Sequence, residues 1–429
     1  MKWTLLGSLF LSFSLQASPL IDEQLYILGS VEQIKDLVDS GSVIVDHVEE
    51  HGFELYGPQG LGEYLQSRGI HFYEETIEKN NNQYPSFDEL TNKLFELEAA
   101  RPDIFKLFSI GKSVQGRDLW VMKISDNVEI DEIEPEFKYI SSMHGDEIVG
   151  REFSVRLIET IAKDYDSNPQ IKKIVDNTEI YIMPSMNPDG SHLRRRANAR
   201  RVDLNRNFPD IIRDKKSSKN GREVETQHIM SFQEERNFAL SANFHGGTMV
   251  VNYPWDSTYT PHLFNDLLVD LSLSYSRSCT AMYESTRFKQ GITNGAAWYL
   301  VRGGMQDWSS FWHDDLQLTI EVSHKKWPPY SEVEELWQGQ KVGLLNLMAK
   351  IHQGVGLSFE DKESEGKVLV EMLSPQYKDF GRYHYNNGEF YKVLSPGEYR
   401  LTLQDGRSFE VSVNEDIQNN GNYVTVPIM

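Results

Sequence analysis

Ser142-Met143-His144-Gly145-Asp146-Glu147 is the stretch on which the reading of this chain turns. An apolar run over residues 137–140 leads into it, and a second apolar run over 238–244 ends at His245, followed by Gly246-Gly247. Each run reads as a buried strand that delivers a histidine to its end. One histidine, one carboxylate three residues later and one distant histidine form the ligand set of a catalytic zinc, with a fourth position left for water. Zinc held in that way lowers the pKa of bound water to about 7. The spacing by itself decides nothing, because such pairs arise by chance. Its weight comes from motifs farther along the chain.

On either side of this stretch, apolar strands are expected near 105–110, 119–124, 137–140, 179–184, 238–244 and 316–322. Helical stretches are expected near 149–165, 261–284 and 332–352. Ser86 with Glu89 three residues on is a capping box for a helix through Leu97. Alternation of this kind predicts an α/β fold with a mixed sheet and helices on both faces, its functional residues at strand ends. Before it, residues 22–76 read as strand, helix, strand, strand, helix, strand, a small ferredoxin-like α/β region. Residues 78–83, Glu-Lys-Asn-Asn-Asn-Gln, read as an exposed linker. After it, residues 354–429 turn to short strands with Gly, Pro and Asn turns, which predicts a small β-sandwich. The catalytic region is placed at 84–353.

Length and charge bound the function. A chain of 429 residues accommodates one large core with accessory units. A net charge of −21 argues against a nucleic-acid binder and favours cationic substrates at long range. Residues 1–17 have the positive start, apolar stretch and small residue of a secretory signal. No later segment is long and apolar enough to span a membrane. The chain is therefore expected to be secreted or periplasmic. Its one cysteine, Cys279, permits no internal disulfide and reads as a buried small hydrophobe.

Five further motifs occur in order. They are Asn187-Pro188-Asp189-Gly190; Arg196-Ala197-Asn198 with Asp203-Leu204-Asn205-Arg206-Asn207; Asn252-Tyr253-Pro254-Trp255-Asp256; residues 291–307, containing Tyr299 and Gln306; and Thr319-Ile320-Glu321-Val322-Ser323, with Lys326-Trp327-Pro328 behind it. Together with the candidate zinc ligands they resemble the M14 zinc metallocarboxypeptidases, in particular the regulatory subfamily of carboxypeptidases E, N and D. The resemblance runs from about Ser86 to the C-terminus, where the last segment is similar to that subfamily's transthyretin-like domain.

The resemblance implies His144, Glu147 and His245 as ligands of one zinc ion per chain, Glu321 as general base and Arg196 as the cation that polarises the scissile carbonyl. It implies Asn205, Arg206 and Tyr299 as holders of the substrate's terminal carboxylate, with Asp256 and Gln306 at the base of the specificity pocket. The chemistry asks for the same residue types. An arginine cannot deprotonate and suits a developing oxyanion, and the arginine fork suits a carboxylate. A glutamate beside the metal can take and return a proton, and Asp256 would pair with Lys or Arg. The expected partners are therefore peptide or protein C-termini that carry those basic side chains; oligomeric state is left open.

The N-terminal region departs from that subfamily. It resembles more the activation segment of digestive carboxypeptidases, which leaves three readings open: a folding aid, a permanent domain, or, as preferred here, an inhibitory propeptide released by cleavage near 75–83. Residues 213–222 are expected to form a solvated basic loop near Asn205-Arg206. Two rival readings stay open on the sequence alone: a peptidase of bacterial cell-wall peptides, and a peptide-binding protein without turnover.

Overall fold

A computed structural model describes residues 19–74, 83–414 and 422–428. The expected signal at 1–17 and most of the expected linker lie outside the described residues. At the centre is an eight-stranded mixed sheet. Its strand order is Ile292–Asn294, Met249–Tyr253, Leu316–Val322, Phe238–His245, Glu136–Ser141, Glu179–Met183, Asp118–Ile124 and Phe105–Lys112. The four central strands run parallel and are buried along their whole length, as their near-continuous apolar runs require when both faces are covered. Helices Phe87–Ala100, Val149–Asp164, Asn265–Ser276 and Val333–Ala349 supply apolar side chains to the same continuous core. The capping box at Ser86 and Glu89 forms as expected.

The register of this sheet places the candidate site. Strands Phe238–His245 and Leu316–Val322 pair in parallel with Glu321 directly opposite His245. Ser141, the last residue of its strand, pairs with Phe244 and leads directly into the loop carrying His144 and Glu147. The base candidate and all three ligand candidates thus meet at the carboxyl ends of three adjacent parallel strands, where α/β sheets bind ligands.

The single helix expected over 261–284 is two helices, Asn265–Ser276 and Thr280–Tyr283. Between them Cys279 is extended (φ −114°, ψ 94°) and 1% exposed. Asn346 holds Ser278 Oγ from the neighbouring long helix at 2.7 Å. Strand Met249–Tyr253 and the edge strand Ile292–Asn294 beside it are additions to the expected set.

Two smaller units flank the sheet. Residues 23–74 form a four-stranded antiparallel sheet in the order Ile44–Asp46, Gly52–Gly57, Glu23–Leu28, Phe72–Glu74, with two short helices. This is the expected ferredoxin-like arrangement, and it has a core of its own built on Leu25, Ile27, Phe53, Leu55 and Leu65. From Gly354 onward the described residues form a three-stranded and a four-stranded sheet. Their inward residues, among them Val355, Leu357, Val370, Phe380 and Leu401, join the central core without a break.

Candidate active site

His144 Nδ1 and His245 Nδ1 lie 3.0 Å apart. Glu147 bridges them, Oε1 at 2.9 Å from His144 Nδ1 and Oε2 at 2.8 Å from His245 Nδ1. All three side chains are at most 3% exposed. A tetrahedral zinc with nitrogen ligands about 2.0–2.1 Å away separates those ligands by about 3.3 Å, so the three donors need only small movements to hold the ion. His144 Nε2 faces Asp203 Oδ1 at 3.1 Å. That contact assigns the proton to Nε2 and leaves the Nδ1 lone pair facing the candidate centre, the usual arrangement behind a metal-binding histidine. His245 Nε2 has no partner among the described residues. These residues fit a zinc ion, and the metal would supply an acidified water and a polarised carbonyl.

Asp203 also receives Arg196 Nε at 2.8 Å, which fixes the guanidinium 3.5 Å from Glu147 Oε1. Burial works against the Asp203 carboxylate, but Arg196 and His144 hold its pKa far below the ordinary range. The sequence reading gives Asp203 no role; its only signal was a charged residue at the head of the Asp203-Leu204-Asn205-Arg206 run. Arg206 donates to the Asn205 carbonyl at 3.0 Å, and Asn205 Oδ1 accepts from the Met305 amide at 3.0 Å. Glu321, 4% exposed, stands over the same cleft with Oε2 lacking a partner among the described residues.

Asp256 and Gln306 are hydrogen-bonded to each other. Asp256 Oδ1 accepts from Gln306 Nε2 and from Asn252 Nδ2, both at 2.9 Å. Asp307 braces this turn from behind by accepting the amides of Asp256 and Ser257, each at 2.9 Å. Burial, reinforced by Asp307, pushes the Asp256 pKa well above the usual carboxylate range, and burial lifts Asp307 to about 6. A Cβ on Gly295 would collide with the Asp256 carboxylate, so the absence of a side chain there keeps the approach to Asp256 clear.

The basic runs disperse. Arg196 is buried, Arg194 stacks on Trp327 with 5.0 Å to the ring centre, Arg200 faces Glu223 at 3.5 Å and Arg201 pairs with Asp22. The 213–222 loop is pinned more than expected: Arg222 bonds Asp214 at 2.9 Å, and Ser217 Oγ accepts from Trp308 at 3.0 Å.

The zinc carboxypeptidase model of the peptidase M14 family matches residues 90–343, more than half of the chain. The chain belongs to this family. The family is one of zinc carboxypeptidases. Human carboxypeptidase D is 38% identical over 346 residues, 75% of this chain and 25% of that protein, so the match spans only a quarter of that relative. Carboxypeptidase SOL1 of Arabidopsis thaliana is 38% identical over 331 residues, 74% of this chain and 67% of that protein. The human carboxypeptidase N catalytic chain is 32% identical over 363 residues, 74% and 79%. In fold, the carboxypeptidase A from Helicoverpa armigera aligns with a TM-score of 0.60 at 19% identity, over 77% of this chain and 99% of that one. Thrombin activatable fibrinolysis inhibitor gives 0.59 at 15%, over 76% and 98%.

The N-terminal unit lies in the cleft, as a segment like an activation segment would, and what the sequence reading did not identify are the residues that make the contacts. Asp46, at the end of strand Ile44–Asp46, ion-pairs with Arg196 and accepts a hydrogen bond from Tyr299, and it lies 3.7 Å from Arg206. Arg206 also donates to the Val45 carbonyl at 3.3 Å. His47, in the left-handed region at φ 42°, places Nε2 3.6 Å from Glu321 Oε1. A Cβ on Gly247 would come within 2.6 Å of the His47 ring. Trp298 Nε1 donates to the Val48 carbonyl at 3.0 Å. Glu54, directly opposite Asp46 on the next strand, ion-pairs with Lys326. Three of the residues expected to handle substrate, Arg196, Arg206 and Tyr299, are therefore engaged by one aspartate.

Proposed function

We propose that this enzyme removes C-terminal Lys or Arg from peptides or proteins, using one zinc ion per chain held by His144, Glu147 and His245. The observation that carries the side-chain preference is Asp256, a buried carboxylate with two amide donors and no cation of its own within hydrogen-bonding distance among the described residues. A substrate ammonium or guanidinium would supply that cation and favour the ionised form. Asn205, Arg206 and Tyr299 would seat the terminal carboxylate. Arg196 would stabilise charge on the scissile carbonyl oxygen, and Glu321 would take a proton from the attacking water and hand it to the leaving amine.

The N-terminal unit is a propeptide that keeps the enzyme latent. Its Asp46 occupies the place of the substrate carboxylate, and cutting the 75–82 linker would release it. The apolar leader at 1–17 supports export. The test is release of the last residue from matched peptides ending in Arg, Lys, Phe or Glu, before and after the linker is cut, with Glu321→Gln as control. Release of Arg and Lys, increased by the cut and lost in the control, is the expected result. Release of Phe in their place would remove Asp256 from its role, and equal activity before and after the cut would remove the propeptide.

A further inference from the structure

The N-terminal unit brings a second carboxylate into the cleft, and the residue that receives it has no part in the proposed reaction. Asp46 and Glu54 form one cross-strand pair, so their side chains leave the same face of the sheet a few ångströms apart. Asp46 goes to Arg196, Arg206 and Tyr299, while Glu54 goes to Lys326. Tyr56 stands between the two groups of cations. The Arg196 guanidinium lies 4.7 Å from its ring centre and Lys326 Nζ lies 5.3 Å from it, with its hydroxyl 2.5 Å from the ammonium.

Lys326 belongs to the wall of the metal site. Its carbonyl accepts the amide of Ile148, next to Glu147, at 3.1 Å, and its Cα is 3.8 Å from where a Cβ on Gly246 would sit. Contacts along the cleft therefore run in a fixed order: Arg206 and Tyr299, Asp46, Arg196, Tyr56, Lys326. A peptide bound with its carboxylate on Arg206 and its scissile carbonyl at Arg196 meets Lys326 with its upstream residues.

We infer that Lys326 forms an upstream subsite for an acidic side chain, at the penultimate residue of the substrate or the one before it, which Glu54 occupies in the latent enzyme. This rests on the reading of the N-terminal unit as a substrate-like plug. Lys326 is 9% exposed beneath that unit, and a charge-assisted hydrogen bond to a carboxylate in so sheltered a place is stronger than one to a neutral amide. The preferred substrate thus carries Glu or Asp just upstream of its basic end.

The test uses the zinc-loaded full chain after linker cleavage, with two peptides competing in one tube. The peptides end in Arg and differ only in Glu, Gln or Lys at one of the two upstream positions. The ratio of their kcat/KM values does not depend on how much enzyme has been activated. At one of the positions Glu is expected to exceed Gln by roughly tenfold, mostly through KM, as about 1.4 kcal/mol of a charged hydrogen bond requires. Lys326→Gln should bring that ratio close to one, Lys326→Glu should turn it in favour of Lys, and Lys326→Arg should keep most of it. A ratio near one at both positions in the unaltered enzyme overturns the inference. So does a Glu preference that survives Lys326→Gln, because the lysine would then be serving backbone or fold. The same series on peptides ending in Phe separates this from the basic pocket: if only those are cut, Asp256 loses its role while the upstream ratio still decides Lys326. If no peptide is cut by any form, the exopeptidase reading fails and the subsite falls with it.

Discussion

The two units flanking the central sheet are attached by different physics. The C-terminal sheets share one apolar core with the catalytic unit: Phe264 stacks on Phe380 with ring centres 4.6 Å apart and planes within 1°, and Lys392 reaches from beneath to the Asp314 carbonyl. The N-terminal unit keeps a closed core of its own and meets the cleft mainly through charges and hydrogen bonds: Asp46, His47, Glu54, Arg287 on Glu49, and Arg201 on Asp22. Apolar burial is lost only with unfolding. Ion pairs and hydrogen bonds are replaced by water when a unit departs, so their net contribution is modest. On the propeptide reading proposed above, the C-terminal unit is built to stay and the N-terminal unit to leave.

Deletion puts that contrast under the greatest strain. Removing residues 354–428 is expected to leave no soluble, cooperatively folding enzyme, whereas removing 19–82 should leave a catalytic unit that melts in a single transition near the original temperature. Circular dichroism melts decide it, and the reverse outcome would invert the assignment of the two units.

Next in size is Asp46→Ala in the uncut chain. It removes the carboxylate shared by Arg196, Arg206 and Tyr299 while Arg196 keeps Asp203, and it costs closure roughly 2–5 kcal/mol. Activity of the uncut variant should approach that of the cut enzyme, while the cut enzyme, having lost the unit, is unaffected. Phe380→Ala should cost about 3 kcal/mol of global stability and lower the one melting temperature of the catalytic and C-terminal units together. A separate early transition would mean that the shared core is not cooperative.

The mildest change is that of latency with pH. His47 faces Glu54 at 3.2 Å, Asp46 at 3.7 Å and Glu321 at 3.6 Å. Burial opposes its charge, but these carboxylates outweigh burial and raise its pKa well above the ordinary value. A histidine raised on docking stabilises the docked state fully below its free pKa of about 6.5, and that contribution is lost as pH climbs through the raised value. Asp46 and Glu54 act at the opposite end. Despite burial, Arg196 holds Asp46 well below the usual range and Lys326 holds Glu54 at about 2, so their contribution is present above about pH 4 and lost in acid. The activity ratio of uncut to cut enzyme should therefore rise between about pH 6 and pH 9. A flat ratio would mean that His47 is neutral in the docked state.

The catalytic parts were legible because each stands where an apolar run stops: His245 and Glu321 at strand ends, His144 and Glu147 just beyond one. Their chemistry is rare enough, in that order, to be read without coordinates. The strands of the central sheet were legible for the same reason. The plug was not. Val45-Asp46-His47 looks like any polar exit from a short strand, and what makes it special is a cleft that the chain reaches only through tertiary docking. Asp203 escaped because its two partners, His144 and Arg196, are brought to it by loops. The break at Cys279 escaped because the hydrophobic pattern of residues 261–284 continues across it.

Asp46 and Glu54 reach the cleft together because they face each other on one hairpin, and side chains along a strand alternate between faces. A shift of that pairing by a single residue would send one of the two carboxylates to the opposite face. Deleting one residue from the turn at 47–51 would leave the composition and core of the N-terminal unit almost intact while misaligning its two contacts with the enzyme. On the propeptide reading, latency is thus written as a strand register, a quantity that substitutions rarely disturb and that single-residue insertions or deletions disturb at once.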